Sequence, residues 1–169
     1  MNIHRPDGPY YDVASVCSNG HTVNPASVES PEFNTPFCGE CGAKAINACP
    51  SCNGEIPGRL QNSRVTGLPW WPTAYCEACG KPYPWTEQRV AALTDAIELT
   101  EGLSSEDKVK LTQSIPDLIA ETPKTDTAAA RLKAAIKKAG KSDGKLLYDV
   151  GVKVTADVGS QTLKGEGLV

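Results

Sequence analysis

Cys38-Gly39-Glu40-Cys41-Gly42-Ala43-Lys44-Ala45-Ile46-Asn47-Ala48-Cys49-Pro50-Ser51-Cys52 is the stretch on which the reading of this chain turns. It holds two Cys-x-x-Cys units with seven residues between Cys41 and Cys49. A Cys-x-x-Cys unit brings two thiolates to one ion from a single tight turn, and backbone N–H groups in that turn can donate to the sulfurs. Moving outward, Cys17-x3-His21 lies sixteen residues before Cys38, and Cys76-x2-Cys79 lies twenty-three residues after Cys52. Seven cysteines and one histidine make eight soft ligands, the number two tetrahedral sites require. An odd cysteine count fits a closed disulfide framework badly.

Residues that tolerate positive φ recur where such turns need them: Gly42 after Cys41, Gly80 after Cys79, Asn53-Gly54 after Cys52, and Asn19-Gly20 inside the first unit. Sequential pairing assigns Cys17, His21, Cys38 and Cys41 to one ion and Cys49, Cys52, Cys76 and Cys79 to the other. An interleaved cross-brace also satisfies the spacing, although sequential pairing is favoured. Two zinc ions are the expected cofactors, because the donor set is tetrahedral and soft and lacks a carboxylate shell. Iron in four thiolates is the chemical competitor.

The chain has 169 residues and a formal charge of −3. Seven thiolates and two dications would lower that to about −6, which disfavours a protein that coats nucleic acid. No apolar run approaches the roughly 18 residues of a membrane span. Met1 to Ser15 carries no apolar stretch behind a basic flank, so no secretory signal is expected and the location is read as cytoplasmic.

Composition changes near Trp85. Residues 1–85 hold every Cys, all three Trp, both His, both Phe and eleven of the thirteen Pro. The expected organisation is a tandem zinc ribbon region over 1–85 and a helical module over 86–169. The fold class is small metal-stabilised β-rich zinc ribbons followed by an all-α module of about four helices. In the first region, Tyr11 to Val16 reads as one strand leading into Cys17. In the second, Thr86 reads as an N-cap for a helix bearing Val90, Leu93 and Ile97 and ending at Gly102. Ser104 and Asp107 form a capping pair, and a short turn includes Leu118 and Ile119. Asp126 is placed as the cap of Thr127 to Ala139, with Gly140 at C′. Asp143 is placed at the start of a last helix bearing Leu147, Val150, Val154 and Val158.

Phe37-Cys38-Gly39-Glu40-Cys41-Gly42, followed by Cys49-Pro50-Ser51-Cys52, resembles the junction of double zinc ribbon proteins. Cys17-Ser18-Asn19-Gly20-His21 resembles the first knuckle of bacterial zinc-ribbon proteins. Together with Ala74-Tyr75-Cys76-Glu77-Ala78-Cys79-Gly80-Lys81-Pro82-Tyr83-Pro84-Trp85-Thr86, these segments resemble the uncharacterised bacterial family called domain of unknown function 2321. The resemblance is strong over 10–86 and weak over the helical tail. It implies two metal sites and no established reaction. His21 in a cysteine position departs from a plain double ribbon but leaves coordination intact.

Catalysis is not expected. Every ligand position is filled, whereas catalytic zinc keeps one open for water. His21 lacks the x-Glu of the zinc deaminases, and neither His-Glu-x-x-His nor a phosphate-cradling glycine loop occurs. His4 reads as an exposed terminal residue. Trp70, Trp71 and Tyr75 lie in the loop of the second ribbon and read either as a small core beside the metal or as an aromatic surface that docks a partner. Trp85 reads as a wedge between the ribbon and the first helix. Arg131, Lys133, Lys137, Lys138, Lys141 and Lys145 read as a solvated helix end, or else as a phosphate-binding strip. The functional expectation is a non-catalytic adaptor or regulatory protein with a protein partner. The alternative is a nucleic-acid-binding zinc-ribbon module. Self-association through the C-terminal helices is a further expectation.

Overall fold

The computed structural model describes residues 8–63, 69–120 and 122–154, with side chains to 152. His4 and Val158 lie outside the described residues. The chain divides into two compact units, Met1–Thr86 and Glu87–Val169. Small strands and cysteine clusters occupy the first, and helices occupy the second.

The first unit builds two small sheets. β1 (Tyr10–Val13) pairs antiparallel with β5 (Pro57–Gln61), while β2 (Ser15–Cys17) is flanked by β3 (Thr22–Asn24) and β4 (Ala45–Ile46). The single strand expected over Tyr11 to Val16 is therefore split at Ala14 between two sheets. Ala14 is fully buried and its N–H donates to Ile56 O at 2.8 Å, so the chain changes partner there. Gly58 makes the crossing feasible. A Cβ at that position would lie 2.5 Å from Pro25 O and 2.8 Å from Asp12 O.

Three knuckles repeat one backbone pattern. Isolated bridges Phe37↔Lys44, Ala48↔Glu55 and Tyr75↔Pro82 bracket the three Cys-x-x-Cys units. In each, the N–H of the first cysteine donates to the carbonyl five residues on: Cys38 to Ala43 O, Cys49 to Gly54 O and Cys76 to Lys81 O, at 2.8–2.9 Å. Positive φ falls on Gly42, Asn53 and Gly80, so Asn53 rather than Gly54 takes the left-handed position.

Sixteen residues separate His21 from Cys38, and a polar network orders much of this segment. Buried Asp12 accepts from the N–H groups of Val28 and Glu29, both at 3.0 Å. Buried Asn24 accepts from Ala26 N–H and donates to Ser30 O and Asn34 Oδ1, and Asn34 donates to Ser27 O. These amides and the carboxylate satisfy backbone groups that an apolar core would leave unpaired. The core of this unit is small: Ala14, Val16, Cys49, Ile56, Cys76, Tyr83 and Trp85, with Ile46 and Trp70 packed on it. Trp85 is thus part of the ribbon's own core. Its ring stacks on Tyr83 at 4.5 Å, and its Nε1–H donates to Thr73 O at 2.9 Å.

Five helices follow: α1 (Pro84–Leu99), α2 (Ser105–Gln113), α3 (Ile115–Ile119), α4 (Thr125–Lys138) and α5 (Gly140–Val154). α1 starts two residues before the expected cap, because Pro84 suits the first turn of a helix. Thr86 instead donates from Oγ1 to Ala74 O at 2.6 Å. Ser104 caps α2 by accepting from Asp107 N–H. α4 begins before Asp126, which lies in its first turn. Thr125 Oγ1 accepts from Thr122 N–H and donates to Ala120 O, fixing the approach to the helix.

Gly140, at φ +80°, ends α4 and opens α5 directly. Asp143 therefore does not cap α5; its carboxylate accepts from Glu101 N–H at 3.0 Å. α4 packs against α2, α3 and α5. Its face of Ala128, Leu132, Ala135 and Ile136 is buried along with Leu111, Leu118, Ile119 and Leu147. No helix among the described residues is long and apolar enough to cross a membrane.

Candidate metal centres

The eight cysteine and histidine side chains form two groups. Cys17, His21, Cys38 and Cys41 converge in one, and Cys49, Cys52, Cys76 and Cys79 in the other, with the ligand atoms of each group within 4.8 Å of one another. The pairing is sequential rather than interleaved. Cys17 closes β2, His21 precedes β3, and each Cys-x-x-Cys turn precedes an element: β4, β5 or α1. The first cysteine of every unit is buried, whereas Cys41, Cys52 and Cys79 are exposed. Each quartet thus has an inner side anchored in the protein and an outer side facing solvent.

The spacing suits a tetrahedral metal. Cys17 and Cys41 sulfurs are 3.7 Å apart, Cys52 and Cys76 3.7 Å, and Cys49 and Cys79 3.9 Å. A disulfide would need about 2.05 Å. Four sulfurs placed about 2.3 Å from one zinc ion stand about 3.8 Å apart, so the donor set fits. In the first group His21 Nδ1 lies 3.3 Å from Cys41 Sγ and 3.7 Å from Cys38 Sγ. Nδ1 is therefore the ring atom that could serve as ligand. The tautomer that leaves Nδ1 free carries its proton on Nε2, which faces Glu40 Oε2 at 3.9 Å. A carboxylate on that side favours this tautomer and orients the ring.

Backbone and side-chain donors already address the sulfurs. His21 N–H points to Cys17 Sγ at 3.3 Å, and Asn19 Nδ2 to Cys41 Sγ at 3.4 Å. The N–H of Ala43 leads the influences that push the Cys41 thiol down, while burial pushes Cys17 up. In the second group burial opposes ionisation of Cys76. The N–H groups of Cys79 and Ala78 and the neighbouring thiols outweigh it, bringing Cys76 down to about 6. At Cys52 the Gly54 N–H favours the thiolate, but contact with Cys79, burial and the other thiols push it up to about 12. Within each quartet one thiol is pushed down and another up. Loading a metal must expel the remaining protons, so affinity falls as pH falls.

One neighbour of the second group is not itself a ligand. Tyr83 is fully buried within the same core cluster as Cys49 and Cys76. Burial, then the thiols of Cys76 and Cys49, push its phenol up, so it keeps its proton. In the sequence it sits between Pro82 and Pro84, four residues after Cys79.

The aromatic loop separates into two environments. Trp70 packs on the core, Tyr75 is half-buried, and Trp71 is 67% exposed. The basic helix end is partly engaged, with Lys138 paired to Asp107. Arg131 is exposed and Lys133 half-buried.

A bacterial family described as an uncharacterized protein conserved in bacteria, DUF2321, matches residues 10–164. No curated protein and no solved structure matches the chain. The match spans most of the sequence, from β1 into the C-terminal residues, and the chain belongs to this family.

Proposed function

We propose that this member of the DUF2321 family holds one zinc ion in each quartet and acts as a non-catalytic adaptor or regulatory protein for a protein partner in the bacterial cytoplasm. Cys17, His21, Cys38 and Cys41 would hold one ion, and Cys49, Cys52, Cys76 and Cys79 the other. Each ion supplies cross-linking rather than Lewis-acid chemistry, because four protein donors leave no position for water or substrate. Structural zinc contributes on the order of 10–16 kcal/mol of apparent binding free energy to folding, comparable to the stability of a whole domain.

The observation that carries the adaptor reading is the divided Trp70–Trp71 pair. Trp70 is anchored on the metal-flanking core while the adjacent Trp71 ring stands 67% exposed. A large aromatic held by a neighbouring anchor loses little freedom on docking, which favours association.

The test compares the full-length zinc-loaded protein with its Trp71→Ala variant as bait for bacterial cytosol. Two zinc ions per chain, unchanged in the variant, and loss of a specific polypeptide from the variant are expected. Loss of metal from Trp71→Ala would make the loop structural. Binding to mixed-sequence DNA or RNA that weakens steeply with salt would favour the nucleic-acid reading instead.

A further inference from the structure

The second quartet differs from the first in charge and in what faces its buried side. With a dication, three thiolates and an imidazole carry a net −1, whereas four thiolates carry −2. The extra charge must be stabilised in a site whose inner ligands, Cys49 and Cys76, are each only 2% exposed. Buried anions are retained where donors compensate for lost water. The first quartet has a side-chain donor in Asn19, which reaches Cys41 at 3.4 Å.

On the inner side of the second quartet stands Tyr83. It shares the core cluster with both inner cysteines, its hydroxyl is buried without any hydrogen-bond partner, and of the neighbouring groups the Cys76 thiol acts most strongly on its phenol. Leaving a buried hydroxyl unpaired is costly, so phenylalanine would fill the same space better unless an acceptor is present. A metal-bound thiolate is such an acceptor. The ring has little freedom to turn elsewhere. It stacks on Trp85 with 20° between the planes, and its backbone N–H is tied to Ala74 O at 3.1 Å.

Resting on the metal reading above, we propose that Tyr83 donates its phenolic O–H to the Cys76 thiolate and so positions and quiets the second metal centre. Tyr83 is a positioning residue and not a ligand. The hydrogen bond draws electron density from sulfur, lowers its nucleophilicity and slows metal loss. Outer partners of this type are worth about 10–100-fold in metal affinity.

Tyr83→Phe keeps the ring and removes only the donor. The variant is expected to bind two ions, with one of them passing to a chromophoric chelator at least about 10-fold faster than in the parent and the other unchanged. In the cobalt(II)-loaded protein the sulfur-to-cobalt charge-transfer band should move to longer wavelength. Ile56→Val, which loosens the same core without touching a donor, should lower thermal stability and leave that band in place.

A second measurement needs no variant. In the cadmium-113-loaded parent, the slowly exchanging Tyr83 hydroxyl proton should couple to one cadmium through sulfur. Equal release rates and an unmoved band in Tyr83→Phe, or a hydroxyl proton with no such coupling, overturn the role of Tyr83 while the metal reading stands. A parent chain that takes up no metal in its second quartet overturns both.

Discussion

The two units of this chain reach order by opposite means. The ribbon unit buries few large aliphatics, and four of its buried hydrophobic side chains are the inner cysteines Cys17, Cys38, Cys49 and Cys76. The helical unit buries Leu93, Ile97, Leu111, Ile115, Leu118, Leu132, Ile136 and Leu147 and has no cysteine. On the metal reading proposed above, one unit concentrates its stability in two points, whereas the other spreads it over a continuous apolar surface. Loss of one side chain should therefore be nearly total in the first and partial in the second.

Removing the metal should break the comparison most sharply. Cys38→Ser or Cys76→Ser, or chelation of the parent, is expected to cost on the order of the 10–16 kcal/mol that a closed zinc site contributes. Backbone amide signals of the ribbon unit should collapse to random-coil positions while those of α2 to α5 persist. Simultaneous loss of both sets would show that the helical unit depends on the ions.

In the helical unit, Leu132→Ala removes a fully buried side chain from the central face of α4. A loss of roughly 2–5 kcal/mol is expected, read from urea unfolding followed by helical circular dichroism, with two ions still bound. Metal loss in this variant would contradict the separation.

The smallest effect is electrostatic. Lys138, with Ser104, holds the Asp107 carboxyl down at about 2, below its ordinary 3.8. A folded-state value below the unfolded one adds stability above about pH 4, and that contribution fades as pH falls through about 2. Both side chains are substantially exposed, so the effect is small. Lys138→Ala should lower the melting temperature of the helical signal slightly at pH 7 and match the parent near pH 2. An equal deficit at both values would assign the loss to packing of the lysine stem.

The ligand quartets were legible because metal chemistry demands residue types at narrow spacings. Cys-x-x-Cys followed by Gly or Asn is a local pattern, and the local backbone obeys it: Gly42, Asn53 and Gly80 all adopt positive φ. The apolar repeat of α4 was legible for the same reason, since a 3.6-residue period needs no partner to be recognised. Other features escaped because their partners lie far along the chain. Asp12 looks like an ordinary strand acid until it accepts from Val28 and Glu29. Asp143 looks like a helix cap until it accepts from Glu101. Gly144 carries no turn signal, yet a Cβ there would lie 2.5 Å from Ile136 O, so the α4–α5 approach requires it.

The order of residues alone determined which side chains can clamp a cation, how far apart their turns stand, and where a ribbon composition gives way to a helical one. Tertiary structure decided which turns converge on one quartet, which nitrogen of His21 faces the sulfurs, and which tryptophan is anchored. It also buried the Tyr83 hydroxyl, without a hydrogen-bond partner, in the core cluster that holds Cys49 and Cys76. The physical reason is range. Ligand type and turn conformation are set within a few residues, whereas burial and pairing depend on segments brought together only when the whole unit closes.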